Sequence, residues 1–298
     1  MRTSDLRGYL SIAMATLFWG FSATIAKFLF KQEVDLLVLV QMRSTLSFVV
    51  LFLVLSVFKR EYMKISIWDI PKFALLGVVG IAGSNFTYYF TLNEINVATA
   101  IIMQYTAPVL VVLYGVLFGS EKITAVKVIS AFLSLFGCSL VVRIFDVQFL
   151  NLSKIGLISG VASALCWAFF NIYGKKIGLK YNTWTSLTFG LMFAGIFWLF
   201  FNPLWEILEA NYSLNDWVIF FVFAMISVLI PYFFYFSGLK LILPSSAIIT
   251  STLEPVVAIV SAWMIVGEKL SVVQILGAIF VLKSVVLLQL ANKQRGVS

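Results

Sequence analysis

The chain has 298 residues, 61% of them hydrophobic and only 11% charged, with a mean hydropathy of +1.03. That balance excludes a soluble globular domain and a disordered chain. The net charge of +8 comes without a single histidine, which removes the usual general base and the commonest metal ligand.

Apolar stretches able to cross about 30 Å of hydrocarbon recur along the whole sequence. Ten spans are predicted, over 8–30, 34–58, 70–92, 97–118, 125–144, 155–178, 183–203, 214–239, 246–266 and 271–291. Backbone amides in lipid must pair within their own segment, so the expected fold is an all-α polytopic membrane protein. The first span follows Arg2 and Arg7 as a signal peptide would, but its apolar stretch is too long for one and is read as a structural helix. Cys138 and Cys166 both fall inside predicted spans and read as small buried hydrophobes.

With ten spans the loops sort onto two sides. The side holding both termini carries Arg2, Arg7, Lys59, Arg60, Lys64, Lys72, Lys122, Lys127, Lys175, Lys176, Lys180, Lys240, Lys293 and Arg295; the other has only Lys27, Lys31, Arg143, Lys154 and Lys269. The termini are therefore expected in the cytoplasm, and the positive charge reports topology and lipid contact, not nucleic-acid binding.

The sequence is also written twice. Tyr105-Thr106-Ala107-Pro108-Val109, running on to Glu121-Lys122, matches Thr252-Leu253-Glu254-Pro255-Val256, running on to Glu268-Lys269. The offset of 147 holds through Phe86/Phe233, Tyr88/Tyr235, Ala100/Ala247, Pro108/Pro255 and Leu135/Leu282, and Trp19 and Lys27 match Trp167 and Lys175 one residue further. Each half, 8–144 and 155–291, then holds five helices. An odd number inverts the second half in the membrane, and Glu121-Lys122 and its twin Glu268-Lys269 fall on opposite sides accordingly. Inverted repeats of this kind usually enclose a midplane site.

Ten spans, the inverted duplication and the two Pro/Glu blocks together resemble the drug/metabolite transporter superfamily, specifically proteins with two EamA-like domains. The carrying residues are Trp19-Gly20, Arg43, Pro108-Val109 with Glu121, Trp167, Leu253-Glu254-Pro255-Val256, and Gly267-Glu268 with Gly277. The resemblance covers essentially the whole chain. It implies secondary transport, commonly export of amino acids or other small metabolites, across a bacterial cytoplasmic membrane. Lys283 departs from the pattern, because the last helix of the family more often continues with apolar or small residues.

A charge in the hydrocarbon costs at least about 2.5–3.5 kcal/mol, so Arg43, Glu254 and Lys283 stand out. Ser246, Thr250 and Glu254 follow i, i+4, i+8 spacing and predict one polar face. Glu254 could attract a substrate ammonium group or carry a coupling proton; the structural alternative is an ion pair with Arg43 or Lys283. Arg43 could hold a carboxylate bidentately or tie down carbonyls freed by a kinked neighbour. For Lys283, pairing or snorkelling is the better reading.

Pro108 and Pro255 predict breaks at equivalent points of helices four and nine, acting as hinges or as bends that open a pocket. Pro231 has Ser84 at the matching position, so a third kink is expected in one half only. Trp19, Asn85, Tyr88, Tyr89, Gln104, Tyr105, Trp167, Asn171, Tyr232 and Tyr235 complete the candidate lining, since amides are costly against lipid and Trp19 and Trp167 lie near span centres. Such a lining suits a small amphiphilic metabolite, with an amino acid matching Glu254 and Arg43 at its two ends. A sugar-nucleotide or other phosphorylated substrate would need a denser basic lining. No phosphate loop, metal cluster or nucleophile–base pair is evident, so an enzyme, a cofactor and a metal are not expected, and the remaining alternatives are a channel and a non-transporting structural or signalling membrane protein. Energy would then come from a gradient.

Overall fold

The structure, a computed structural model, describes residues 3–30, 36–95, 97–118, 124–146, 153–210 and 212–295, so Glu121 and Lys122 lie outside the described residues. Among the described residues the chain is all helix and turn, with no strand. Helix covers part of every predicted span. Two continuous helices open the chain, α1 (Thr3–Phe30) and α2 (Leu36–Phe58). The third span is compound: α3 (Ile70–Leu75) and α4 (Ser84–Glu94) are joined by a π-helical segment, Leu76–Gly83. The fourth is broken at Tyr105–Thr106 into α5 (Val97–Gln104) and α6 (Ala107–Leu117), and α7 (Ala125–Val141) completes the first half.

The second half repeats the order. It runs α8 (Lys154–Lys180), α9 (Thr183–Leu199), a short α10 (Leu204–Glu209), then α11 (Leu214–Ala224) and α12 (Ile230–Leu241) joined by the π-helical Met225–Leu229. After a break at Thr252 between α13 (Pro244–Ser251) and α14 (Leu253–Val266), the chain ends in α15 (Val272–Arg295). Seven segments of the described residues are long and apolar enough to cross a membrane. α7 and α9 are apolar but have 17 residues each, roughly 26 Å of helix against about 30 Å of hydrocarbon.

Local chemistry sets these boundaries. Thr124 Oγ1 accepts the Lys127 amide at 3.3 Å to start α7, and Ser153 Oγ accepts that of Gly156 at 3.3 Å to start α8. Ser271 and Gln274 cap α15 reciprocally: the Ser271 hydroxyl oxygen accepts the Gln274 amide at 3.3 Å, and the Gln274 side chain accepts the Ser271 amide at 3.0 Å. Gly267 ends α14 in the left-handed region, φ 76°, where a side chain would be strained.

The mid-span breaks follow from the two prolines. Pro108 and Pro255 have no N–H to return to the carbonyls four residues back, at Gln104 and Ser251. Side chains take over part of the pairing there. Thr106 and Thr252 hydroxyls donate to the Met103 and Ile249 carbonyls at 2.7 and 2.6 Å, and the Cys138 thiol lies 3.8 Å from the Thr252 carbonyl. Cys138 is fully buried and Cys166 partly so, both as free thiols.

The repeat is visible in the element boundaries. The offset of 147 carries Val97–Gln104 onto Pro244–Ser251, and Met225–Leu229 onto residues 78–82 inside the first π-helical segment. This corrects the expectation of a kink in one half only. The deformation occurs in both, although only the second half has a proline there, Pro231 in the first turn of α12. In the first half glycines serve instead: a Cβ on Gly77 would lie 2.4 Å from the Gly190 carbonyl of α9, so the close approach of that helix requires glycine.

Equivalent helices also make equivalent contacts. Gly8 of α1 packs on Leu241 and Ile242 at the end of α12, and Gly156 of α8 packs on Glu94 and Ile95 at the end of α4, the matching residues of the other half. α7 and α15, the last helices of the halves, run antiparallel: Gln274 donates to the Val141 carbonyl at 3.2 Å, and Gly137 and Gly277 meet back to back. Between α1, α8 and α12 lies an aromatic core that includes Trp167, Phe170, Tyr235 and Phe236.

A Cβ on Gly277 would stand 2.6 Å from the Gly137 carbonyl, too close for any side chain without helix separation. Gly277→Leu is expected to destabilise the protein by about 1–3 kcal/mol or more, read as a lower midpoint of thermal unfolding in detergent. Leu282→Ala, on the exposed face of the same helix, should leave that midpoint nearly unchanged.

Candidate functional site

The helix breaks of the two halves meet. Tyr105, at the break between α5 and α6, donates its hydroxyl to Glu254 Oε2 at 3.0 Å, and Glu254 sits in the first turn after the break between α13 and α14. Its duplicated counterpart is Ala107, so the carboxylate belongs to one half only. No direct ion pair joins Glu254 to Arg43 or to Lys283 among the described residues, although the Arg43 charge reaches Glu254 through space.

Arg43, from α2, is half-buried against α4. Its guanidinium donates to Asn85 Oδ1 and lies 5.3 Å from the centroid of the Tyr89 ring, while its Nε is buried with no hydrogen-bond partner. Asn85 is held in turn, donating to the Ile81 carbonyl at 2.6 Å inside the first π-helical segment and bonding the Tyr232 side chain. Tyr88 lies within electrostatic reach of both Arg43 and Glu254, and its ring centroid is 5.3 Å from that of Tyr89. A lone cation and a lone anion thus share one tyrosine-lined region between the halves.

Next to them is a ring cluster. Trp19 lies 5.8 Å from Trp167, 5.4 Å from Tyr232 and 5.2 Å from Tyr235, centroid to centroid. Its indole N–H donates to the Ser227 carbonyl at 3.2 Å, a group in the second π-helical segment. Tyr235 is fully buried and donates to Asn171 Oδ1 at 2.6 Å; Asn171 donates to the Trp167 carbonyl at 2.9 Å. Each well-placed ring pair contributes about 0.5–1.5 kcal/mol beyond its area, so this is a rigid wall.

Trp19, Arg43, Asn85, Tyr88, Tyr105, Trp167, Asn171, Tyr235 and Glu254 therefore come together from both halves. Thr250 and Gln104 do not join them. The polar face predicted from Ser246, Thr250 and Glu254 is cut by the break at Thr252, and the buried Thr250 hydroxyl donates back to the Ser246 carbonyl at 2.7 Å. Gln104 is half-buried at the end of α5, with no hydrogen bond to the cluster. Lys283 is exposed on α15, beside a groove of about 500 Å³ lined by Leu133, Ile279, Leu282 and Val286, away from the other charges.

Three members were not anticipated. Phe170 stacks on Trp167 at 5.0 Å with 5° between the planes, and Ser251, whose hydroxyl donates to the Ile248 carbonyl at 2.8 Å, lies within reach of the Tyr235 hydroxyl. The third is the Ser227 carbonyl. Phe170 lies one helical turn after Trp167, a spacing that could have flagged it; the other two depend on how the ladder is broken. Among the described residues no group of three or more His, Cys, Asp or Glu could hold a metal ion.

Comparisons with known proteins agree with this architecture. A crystal structure superposes with a TM-score of 0.75, covering 98% of both chains at 17% identity, which shows the shared fold. The uncharacterized inner membrane transporter YicL of Salmonella typhimurium is 27% identical over 300 residues, 98% of each chain. The threonine/homoserine exporter RhtA of Escherichia coli K12 is 25% identical over 201 residues, 66% of this chain and 64% of its own. The model of the EamA-like transporter family matches twice, over residues 6–143 and 154–290. The repeat seen in the sequence is thus a repeat of one family unit, and the chain belongs to the EamA-like transporter family.

Proposed function

We propose that this membrane transporter exports a small zwitterionic metabolite, an amino acid or a close analogue, across a bacterial inner membrane. In this reading the chain crosses ten times with both termini in the cytoplasm, and its halves are inverted repeats that rock about the site to expose it alternately to the two sides. The antiparallel α7 and α15, and the matching contacts of Gly8 and Gly156, are what such an inversion requires.

The observation that carries the substrate class is the pair of unmatched charges. Glu254 has a tyrosine hydroxyl and Arg43 an amide and a ring; the two charges feel each other through space, but among the described residues neither makes a direct ion pair. Unpaired charges in the hydrocarbon are costly and mark substrate or ion pathways. A zwitterion satisfies both at once, its ammonium group on Glu254 and its carboxylate on the free Nε edge of Arg43. The stacked rings and Asn85 then receive the side chain. A phosphorylated substrate would meet only one guanidinium and is disfavoured. Glu254 is also the acid of the site that could exchange a coupling proton when the substrate leaves. The exporter name of RhtA and the inner-membrane name of YicL support the direction and the membrane in this reading.

The test is flux in proteoliposomes, beginning with threonine and homoserine and widening to a metabolite library. Glu254→Gln is expected to lower flux at least about tenfold and to flatten its pH profile, since a lost charge-assisted contact is worth roughly 1.5–3 kcal/mol. An unchanged rate and an unchanged pH profile would remove Glu254 from the mechanism. Arg43→Lys keeps the charge but loses the planar fork, and should raise the half-saturating concentration about tenfold or more while leaving the maximal rate less affected.

A further inference from the structure

The basic end of the molecule holds a second charged cluster, distinct from the site. Asp69 precedes α3 in the first half and is 1% exposed. Lys72 of the same half donates to its Oδ1 at 2.6 Å. The other carboxylate oxygen accepts from Lys180 Nζ and from the Tyr181 hydroxyl, both at the end of α8 in the second half. Asp69 occupies the N-cap position of α3, yet its side chain makes no capping bond there. A local helix-start role therefore does not account for it.

Further bonds cross between the halves at the same level. The Ser66 amide donates to the Tyr181 hydroxyl oxygen at 3.3 Å, and the Thr185 hydroxyl donates to the Tyr62 carbonyl at 2.7 Å. Phe73 packs its ring on Tyr181 at 5.0 Å. Lys240 Nζ donates to the Tyr181 carbonyl at 3.1 Å, tying α12 to the same junction. One carboxylate thus holds an ammonium group of its own half and, across the seam, a second ammonium group and a phenol.

At the offset of the repeat, Asp69 corresponds to Asp216. Asp216 accepts from the Ser213 amide at 2.8 Å and the Ser213 hydroxyl at 2.7 Å, both within its own loop, as the capping box that starts α11. Its bonds stay inside one half. The same residue, duplicated, bridges the halves at the basic end and caps a helix at the other.

We propose that Asp69 is the latch of an inner gate: its bonds to Lys180 and Tyr181 hold the cytoplasmic end shut, whereas among the described residues its duplicate Asp216 is committed to the cap of its own helix. The latch rests on the alternating-access reading above. Its release separates the two halves at the basic end, and without the carboxylate Lys72 and Lys180 repel each other across the seam.

The experiment measures the distance between spin labels on cysteines at Ile67 and Leu179, both exposed and flanking the latch on opposite halves, in full-length protein with Cys138 and Cys166 replaced by alanine. The parent should give one short distance. Asp69→Asn should raise a population at least about 5 Å longer by about tenfold or more, and the double variant Lys180→Gln/Tyr181→Phe should do the same from the other half. Asp216→Asn should leave the distribution as in the parent. Unchanged distances in both the Asp69 and the Lys180/Tyr181 variants would overturn the latch, as would an equal change on Asp216→Asn. The measurement needs no substrate, so a latch that opens in a protein showing no flux would sink the transport reading alone, and transport with unmoved labels would sink only the latch.

Discussion

Inside hydrocarbon, a backbone carbonyl or a charge has no water to fall back on, and every such group must find its partner within the protein. This constraint organises the molecule. Two prolines and two π-helical segments break the backbone ladders of four spans, and the freed groups are found at the interface of the halves, facing side chains. Ser227 receives Trp19, Ile81 receives Asn85, and Thr252 lies under Cys138. The irregular backbone and the functional side chains coincide because each needs the same environment, a polar interior sealed from lipid.

Duplication then supplies the geometry, and divergence the chemistry. The halves contribute matching breaks, matching π-helical segments and matching Gly-mediated helix contacts. At two repeated positions the copies differ in what they do. Ala107 faces Glu254 in the alignment of the halves, which places a single acid in the site. Asp69 and Asp216 are the same residue in different employment, one across the seam and one within a helix cap. Under the proposed alternating access, a symmetric frame with asymmetric charges would give two ends that open by the same motion but with different stabilities.

Much of this was legible in the sequence. The helical spans, the 147-residue repeat and the breaks at Pro108 and Pro255 follow from composition, spacing and the missing proline N–H. Trp19, Arg43, Asn85, Tyr105, Trp167 and Glu254 read as one candidate lining because polar or bulky groups inside spans have few places to go, and the structure brings them near one another. Other features depend on three-dimensional register. The π-helical segment at Leu76–Gly83 has no proline to announce it, and the packing of its Gly77 against α9 is seen only in three dimensions. Thr250 falls off the predicted face because the break at Thr252 resets the helical period. Lys283 turns outward, and only packing could decide that. Asp69 sits at a span edge, where an acid ordinarily reads as a solvated cap, and its burial depends on Lys180 and Tyr181, more than a hundred residues away.

Alternating access as proposed exposes one site between the halves to both sides of the membrane. Tyr88, between Arg43 and Glu254, is the position at which to ask. With Tyr88→Cys in a cysteine-free background, a membrane-impermeant thiol reagent should label the protein both in right-side-out and in inside-out vesicles if the proposed conformations exchange. Labelling from one side alone under every condition, in protein shown to be folded, would contradict the account.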